Sequence, residues 1–407
     1  GAGTGPIGLV LMCGAIATLL SQWGLIPMLK LGPKSSTLWG MAMALVGIAV
    51  FAVSTTLNVM ALGMAIASMG FGLYRPGFTA GASLAVSRIE QGLVGGSAYD
   101  ASQQSITDAT MSMAMAADAA GLPPGVFNLV LGSGSQIGDI LSTHADIDCV
   151  SFTGSTEIGR HIQQQAAATV KRVCLELGGK SAFIISPTEQ LSAAVKLGVE
   201  DVMANSGQTC TALSRMLVHH SQYAEAVAIA VAHANSLTLG EPHQDGVFLG
   251  PLISSAQYHS VQRYIELGLA EGAELVAGGA EPLPQLGGGY YLRPTVFANV
   301  NNQMQIAREE IFGPVLCILS YQDEAEALRI ANDSPYGLSG RVWADDADTA
   351  QRLAEGIRAG LIFINAAPWH NAAPFGGYKQ SGNGRELGLK GVEEYLELKA
   401  IVSGGDI

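Results

Sequence analysis

Phe152-Thr153-Gly154-Ser155-Thr156-Glu157-Ile158-Gly159 closes one apolar run and opens a helix, and Leu175-Glu176-Leu177-Gly178-Gly179-Lys180 closes the next apolar run. Asp148–Phe152 and Val173–Leu177 read as short buried strands, and Thr156–Ala168 between them as a helix. Strand, helix, strand in that order is the signature of an α/β sheet. Further strands are expected at Phe127–Leu131, Arg215–His219, Val315–Tyr321 and Leu361–Asn365, with helices over 221–234, 323–332 and 347–358. The small residues at 153–155 let a diphosphate approach the N–H groups at a helix start. Many strand-to-helix turns need Gly for geometry alone, so both readings of this turn stand. Gly132-Ser133-Gly134-Ser135-Gln136-Ile137-Gly138 has one residue too many for a dinucleotide fingerprint.

Outward from this stretch, composition is uneven. Hydrophobic residues make up 48% of the 407 and charged residues 14%, with a net charge of −13. A globular chain carries about a quarter charged residues. The dilution is local: from Gly1 to Ser87 the only charges are Lys30, Lys34 and Arg75. The acidic balance of the rest argues against nucleic acid as a partner, because phosphates are neutralised by Lys and Arg. Five scattered cysteines, with no CxxC, give neither a disulfide framework nor a metal site. The uncharged stretches are long enough to suggest three membrane-spanning helices, roughly 6–29, 37–54 and 58–74. Lys30, Lys34, Arg75 and Arg88 then share one side, which the positive-inside rule makes cytoplasmic. Membrane attachment through 1–87 would place the remainder in the cytoplasm. Buried helices of a large protein are the other reading.

Chemistry concentrates at Cys210, in Asn205-Ser206-Gly207-Gln208-Thr209-Cys210, and at Glu176. A deprotonated thiol attacks carbonyl carbon readily. A carboxylate near it can take a proton from the thiol, or from a water that later attacks a thioester. Glu176 follows an apolar strand, where an unpaired carboxylate is costly unless it has a task. Cys149, Cys174 and Cys317 fall on apolar strands and read as core. His219-His220 reads as surface, and Met111 to Met115 as one face of a helix.

The motifs fall in a fixed order: Gly121-Leu122-Pro123-Pro124-Gly125, then 152–159, 175–180 and 207–210, then Glu309-Glu310-Ile311-Phe312-Gly313-Pro314-Val315, and last Pro374-Phe375-Gly376-Gly377-Tyr378-Lys379-Gln380-Ser381-Gly382. With this set, residues 107–402 resemble the NAD(P)-dependent aldehyde dehydrogenase superfamily. The resemblance implies that Cys210 attacks an aldehyde to give a thiohemiacetal. Hydride loss to NAD or NADP then leaves a thioester, and Glu176 activates water for deacylation. It implies cofactor contacts from Gly154 and Ser155 at the diphosphate, Gly134 at the adenosine pocket and the backbone of Leu177 at the nicotinamide. Glu310 would hold the nicotinamide ribose, unless it merely caps a helix, with Phe312 packed beside it. The implied fold is an α/β aldehyde dehydrogenase fold with a partial Rossmann-like cofactor domain over 107–178. A catalytic domain follows over 179–381, and a C-terminal return over 382–407. In the last of these, Tyr395–Val402 is expected as a strand joining subunits of a homo-oligomer.

Residues 72–86 and Glu90-Gln91-Gly92 resemble part of a major facilitator superfamily transporter. The expected layout is therefore a transporter-like helical segment over 1–96, a junction over 97–106 and the enzyme part after it. The resemblance also implies preceding sequence, with an Asn for the oxyanion hole and a Lys for the adenosine ribose, that this chain does not show. Pro368-Trp369-His370-Asn371 looks like the Asn motif but sits in a late loop. Weak turnover is the expectation. The alternatives are a transporter fragment, or a non-functional fusion of two partial genes.

Overall fold

The computed structural model describes residues 33–54, 56, 59–69, 111, 114–130, 132–242, 244–287 and 289–404. The chain divides into two compact units, one of 1–99 with 103–137 and one of 100–102 with 138–407.

In the first unit, helix α1 (Pro33–Val53) is followed by a second helical stretch over 59–69. They meet through glycines: a Cβ on Gly47 would stand 2.2 Å from Ala67 N, and one on Gly63 would stand 2.6 Å from Phe51 N. Among the described residues no helix is long and apolar enough to cross a membrane. The spans expected at 37–54 and 58–74 therefore gain no support from the described residues, and 55, 57, 58 and 70–74 lie outside them. The reason is length: α1 opens on Pro33-Lys34-Ser35-Ser36-Thr37, and its apolar part after Thr37 is roughly 24 Å long at ~1.5 Å per residue. A hydrocarbon core is ~30 Å thick. The expected span over 6–29 and the transporter-like residues 72–92 lie outside the described residues. Residues 114–119 are helical, as the pattern from Met111 onward suggests.

Helix α2 (Gly134–Thr143) leads to a small sheet in the second unit. There β1 (Cys149–Thr153) runs parallel to β2 (Arg172–Glu176), and α3 (Thr156–Ala166) is the crossover between them. The short strand β10 (Gly382–Asn383) pairs antiparallel with the end of β2. The expected strand–helix–strand is therefore present. Phe127–Leu131 is not in a strand over its described residues, 127–130.

The large sheet has the order β5-β6-β7-β4-β3-β8-β9. Its strands are β3 (Ala182–Ile185), β4 (Arg215–His219), β5 (Glu274–Ala277), β6 (Thr295–Ala298), β7 (Val315–Tyr321), β8 (Ser339–Trp343) and β9 (Leu361–Ile364). All pairs are parallel except β5 with β6. Parallel strands need both faces covered, and successive side chains alternate between faces. In β3, Ala182 and Ile184 enter one core with Leu217, Cys317 and Val342, while Phe183 and Ile185 enter the other with Met216, Val218 and Ile318.

Two motifs lie where these sheets join. Leu177–Ser181 carries the chain from the end of β2 to the start of β3. Ser381 pins that crossing: its carbonyl accepts from Leu177 N–H (3.0 Å), and its Oγ donates to Gly178 O (2.7 Å). The fully buried Arg215 side chain donates to Lys180 O (3.0 Å), Ile330 O (3.0 Å) and Ala331 O (2.9 Å). Tyr395–Val402 is described and carries no strand within the single chain. A strand needs a ladder partner, and this segment has none among the described residues.

Candidate active site

Three loops enter three neighbouring parallel strands. Residues 178–181 precede β3, 205–214 precede β4 and 309–314 precede β7. The register aligns Ala182 with Arg215 and Arg215 with Cys317, so the residues before each strand converge at one end of the sheet. Glycines permit the close approach. A Cβ on Gly207 would lie 2.0 Å from the carbonyl carbon of Gly313, and one on Gly179 would lie 2.5 Å from Cys210 O.

Cys210, half-buried, ends a strained loop. Asn205 (φ 50°), Ser206 (φ 56°) and Gly207 (φ 75°) are consecutive left-handed residues. For a non-Gly residue that conformation costs of order 1–3 kcal/mol. Side chains hold it. Ser206 Oγ donates to Gly250 O (2.8 Å), Asn205 Nδ2 donates to Gln208 O (3.0 Å), and Gln208 Oε1 accepts from Ile253 N–H (2.9 Å). Phe312, half-exposed, is also left-handed (φ 54°). Its carbonyl and that of Ile311 accept from Gln257 Nε2 at 2.8 and 3.1 Å.

Glu176 ends β2 and is only 5% exposed. Neither of its carboxylate oxygens has a hydrogen-bond partner. Burial, and next the Glu386 carboxylate, push its pKa up to about 8 against the pull of Arg385. The last motif brings these groups in: a Cβ on Gly376 would stand 2.7 Å from Glu176 Oε1, and Phe375 and Glu386 exchange backbone hydrogen bonds of 2.8 and 2.7 Å. The Cys210 thiol is pushed above its ordinary range by burial first, then by Glu310 and less by Glu176; its own N–H and that of Thr211 oppose them. Cys210, Glu176 and Glu310 thus share one electrostatic environment.

Ser155 caps α3, its Oγ accepting from Ile158 N–H (3.4 Å). That helix start opens on a cleft of about 850 Å³ lined by Ser155, Thr156, Arg160, Glu310, Tyr336 and Gln380. Ser155 and Glu310 are therefore brought to one cleft. Gly154 N–H donates to Glu176 O (3.0 Å), which ties the turn before α3 to the end of β2. Leu177 is buried, with Gly159 against its side chain. Gly134 opens α2, with nothing within 4 Å of where its Cβ would stand.

The sequence model of the aldehyde dehydrogenase family matches residues 84–401. The chain belongs to the aldehyde dehydrogenase family. It is 52% identical over 285 residues to a 3-succinoylsemialdehyde-pyridine dehydrogenase of a Pseudomonas species, a match covering 70% of this chain and 60% of that protein. The chain thus spans about three fifths of that relative's length. Among solved structures it is similar to a mutant of aldehyde dehydrogenase C from Pseudomonas syringae complexed with NAD+ and octanal. That match has TM-score 0.74 and 35% identity, and it covers 99% of this chain and 84% of that one. It is also similar to the NAD+ complex of an aldehyde dehydrogenase from Bacillus cereus (TM-score 0.71, 38% identity, 84% and 64% covered).

The aldehyde dehydrogenase match begins at residue 84, inside the stretch read as transporter-like, and it gives the fusion with a transporter no support. Membrane attachment likewise gains none from the described residues. Sequence reading missed Arg385 and Glu386, whose charges bear on Glu176. No spacing rule marks them, because they reach Glu176 only through the turn at 375–386. It also missed Gln257, a polar residue on helix α6 (Ser255–Ala270), where exposed Gln is unremarkable; α4 (Leu191–Met203) and α5 (Tyr223–Ser236) precede it. Cys174 and Cys317 are buried as expected, and Cys149 is half-buried.

Proposed function

We propose that this chain carries the nucleophile and base of an NAD(P)-dependent, aldehyde-oxidising site. The observation that carries it is Glu176, a buried and unpartnered carboxylate poised near neutral pH, sharing its environment with Cys210. Cys210 attacks the aldehyde carbon, and the backbone N–H groups of Cys210 and Thr211 lie where they favour negative charge. Oxidation of that adduct leaves a thioester on the sulfur. Glu176 then takes a proton from the attacking water, a task that suits a base with pKa near the working pH.

The residues of the cleft fit a dinucleotide. The start of α3 presents N–H groups that α-helical geometry leaves without intrahelical partners, beside Ser155 and Gly154. Glu310 suits ribose hydroxyls, Phe312 an apolar ring face, and the backbone of Leu177 an amide. Gly134 would serve the adenosine end. Bound NAD or NADP supplies the hydride acceptor. On this reading residues 107–178 form the cofactor part and 179–381 the catalytic part. An aldehyde as substrate is supported by the names of the related proteins and by octanal in one of their structures. The exposed apolar side chains of Leu398, Ile401 and Val402 support self-association through the C-terminal segment.

An activated ester tests the site without cofactor. p-Nitrophenyl acetate should give a burst of nitrophenol stoichiometric with protein. Cys210→Ala should abolish it. Glu176→Gln should keep the burst and slow the following steady rate by about 10²- to 10⁴-fold. A burst that survives Cys210→Ala overturns the proposal.

A further inference from the structure

Glu310 lies where the loop before β7 meets the loop before β3. Gly179 N–H donates to its Oε1 at 3.1 Å. Its other oxygen packs on Gly178, where a Cβ would stand 2.1 Å from Oε2. Gly179 itself lies against the backbone carbonyl of Cys210. The bare pair Gly178-Gly179 therefore lets a carboxylate pack on one residue and the nucleophile's backbone on the next. Glu310 also lines the large cleft, so a turn of its side chain can carry the carboxylate from the nucleophile loop toward that cleft.

We propose that Glu310 restrains the nucleophile: in the cofactor-free protein its carboxylate, docked on Gly178-Gly179, sets a negative charge beside Cys210 and suppresses attack until the carboxylate is drawn into the cleft. The inference rests on the reading of Cys210 as the nucleophile. Two carboxylates face Cys210, Glu310 and Glu176, opposed by the N–H groups of Cys210 and Thr211. Burial raises the proton affinity of both carboxylates, but Glu310 accepts a hydrogen bond from Gly179 N–H that favours its charged form, whereas Glu176 has no hydrogen-bond partner. Around Glu310 stand the Gly179 N–H, Lys180 and the Tyr336 ring. Lys180 is buried, its Nζ has no hydrogen-bond partner, and burial lowers its proton affinity, so it is a poor counter-charge. Ribose hydroxyls donate to a carboxylate, and binding in the cleft would favour the outward position.

The test is the alkylation rate of Cys210 by iodoacetamide in the purified chain without cofactor or aldehyde. Peptide mass spectrometry separates Cys210 from Cys13, Cys149, Cys174 and Cys317. Glu310→Gln keeps an acceptor for Gly179 N–H and removes the charge. It should raise the rate at neutral pH by about five- to thirtyfold and move the pH–rate profile to lower pH. Gly178→Ala, which forces the carboxylate away while keeping its charge, should also accelerate alkylation. A folded Glu310→Gln protein reacting within about twofold of wild type overturns the proposal; if that variant does not fold, Gly178→Ala decides in the same sense. Because the readout uses no turnover, a chain without dehydrogenase activity still answers it, and the ester burst reports on that activity separately.

Discussion

Glu176 carries a cost that its surroundings do not relieve. Its pKa stands at about 8 against an ordinary 4.5, because burial and Glu386 outweigh Arg385. Between these values the folded chain keeps a proton that the unfolded chain has released, so stability falls as pH rises through that window. The loss should be on the order of a few kcal/mol. Urea midpoints taken near pH 5 and near pH 8 should therefore drop for wild type and stay closer together for Glu176→Gln. Parallel curves would show that the carboxylate is not the group responsible. The identity of this residue was legible in the sequence, since a carboxylate closing an apolar strand invites a functional reading. Its proton affinity was not, because Glu386 and Arg385 arrive through the distant turn at 375–386.

The loop from Asn205 to Cys210 shows what an element needs beyond its residues. Its three left-handed positions end on Gly207, whose Cα faces the Gly313 carbonyl with no room for a Cβ. Gly207→Ala combines a disfavoured φ with a backbone clash, and it should destabilise the chain by about 2–4 kcal/mol. Gly134→Ala, in open space, should change stability by less than about 0.5 kcal/mol. Denaturant titration of the two variants side by side checks the contrast; equal effects would remove the argument from close approach. Strands Arg215–His219 and Val315–Tyr321 were readable because their apolar runs are uninterrupted. Ser339–Trp343 was not, for it contains Gly340 and Arg341. The Arg341 guanidinium is accommodated by the Asn365 carbonyl and the Phe363 ring, partners on and just beyond a neighbouring strand.

The C-terminal segment leaves Leu398 (100%), Ile401 (86%) and Val402 (93%) exposed. Such a run of apolar side chains without a ladder partner is suited to association. Leu398→Asp combined with Ile401→Asp should weaken self-association by roughly tenfold or more, measured by sedimentation. An unchanged sedimentation profile would assign association to another surface. For the chain as a whole, local order was enough to identify the α/β class and to single out Cys210, Glu176 and the turn at 152–159 as candidates. Each depends on residues adjacent in sequence: an apolar run, a glycine turn, a thiol or carboxylate at its end. The same local order does not decide 37–54 and 58–74, since uncharged composition suits a membrane span and helices packed on glycines alike. Only the tertiary structure decided that the Cys210 and Glu310 loops come together, with Glu176 near enough for its charge to bear on the thiol. The parallel register of β3, β4 and β7 brings three separate loops to one end of a sheet. Burial there makes each charge act on its neighbours far more strongly than it would in water.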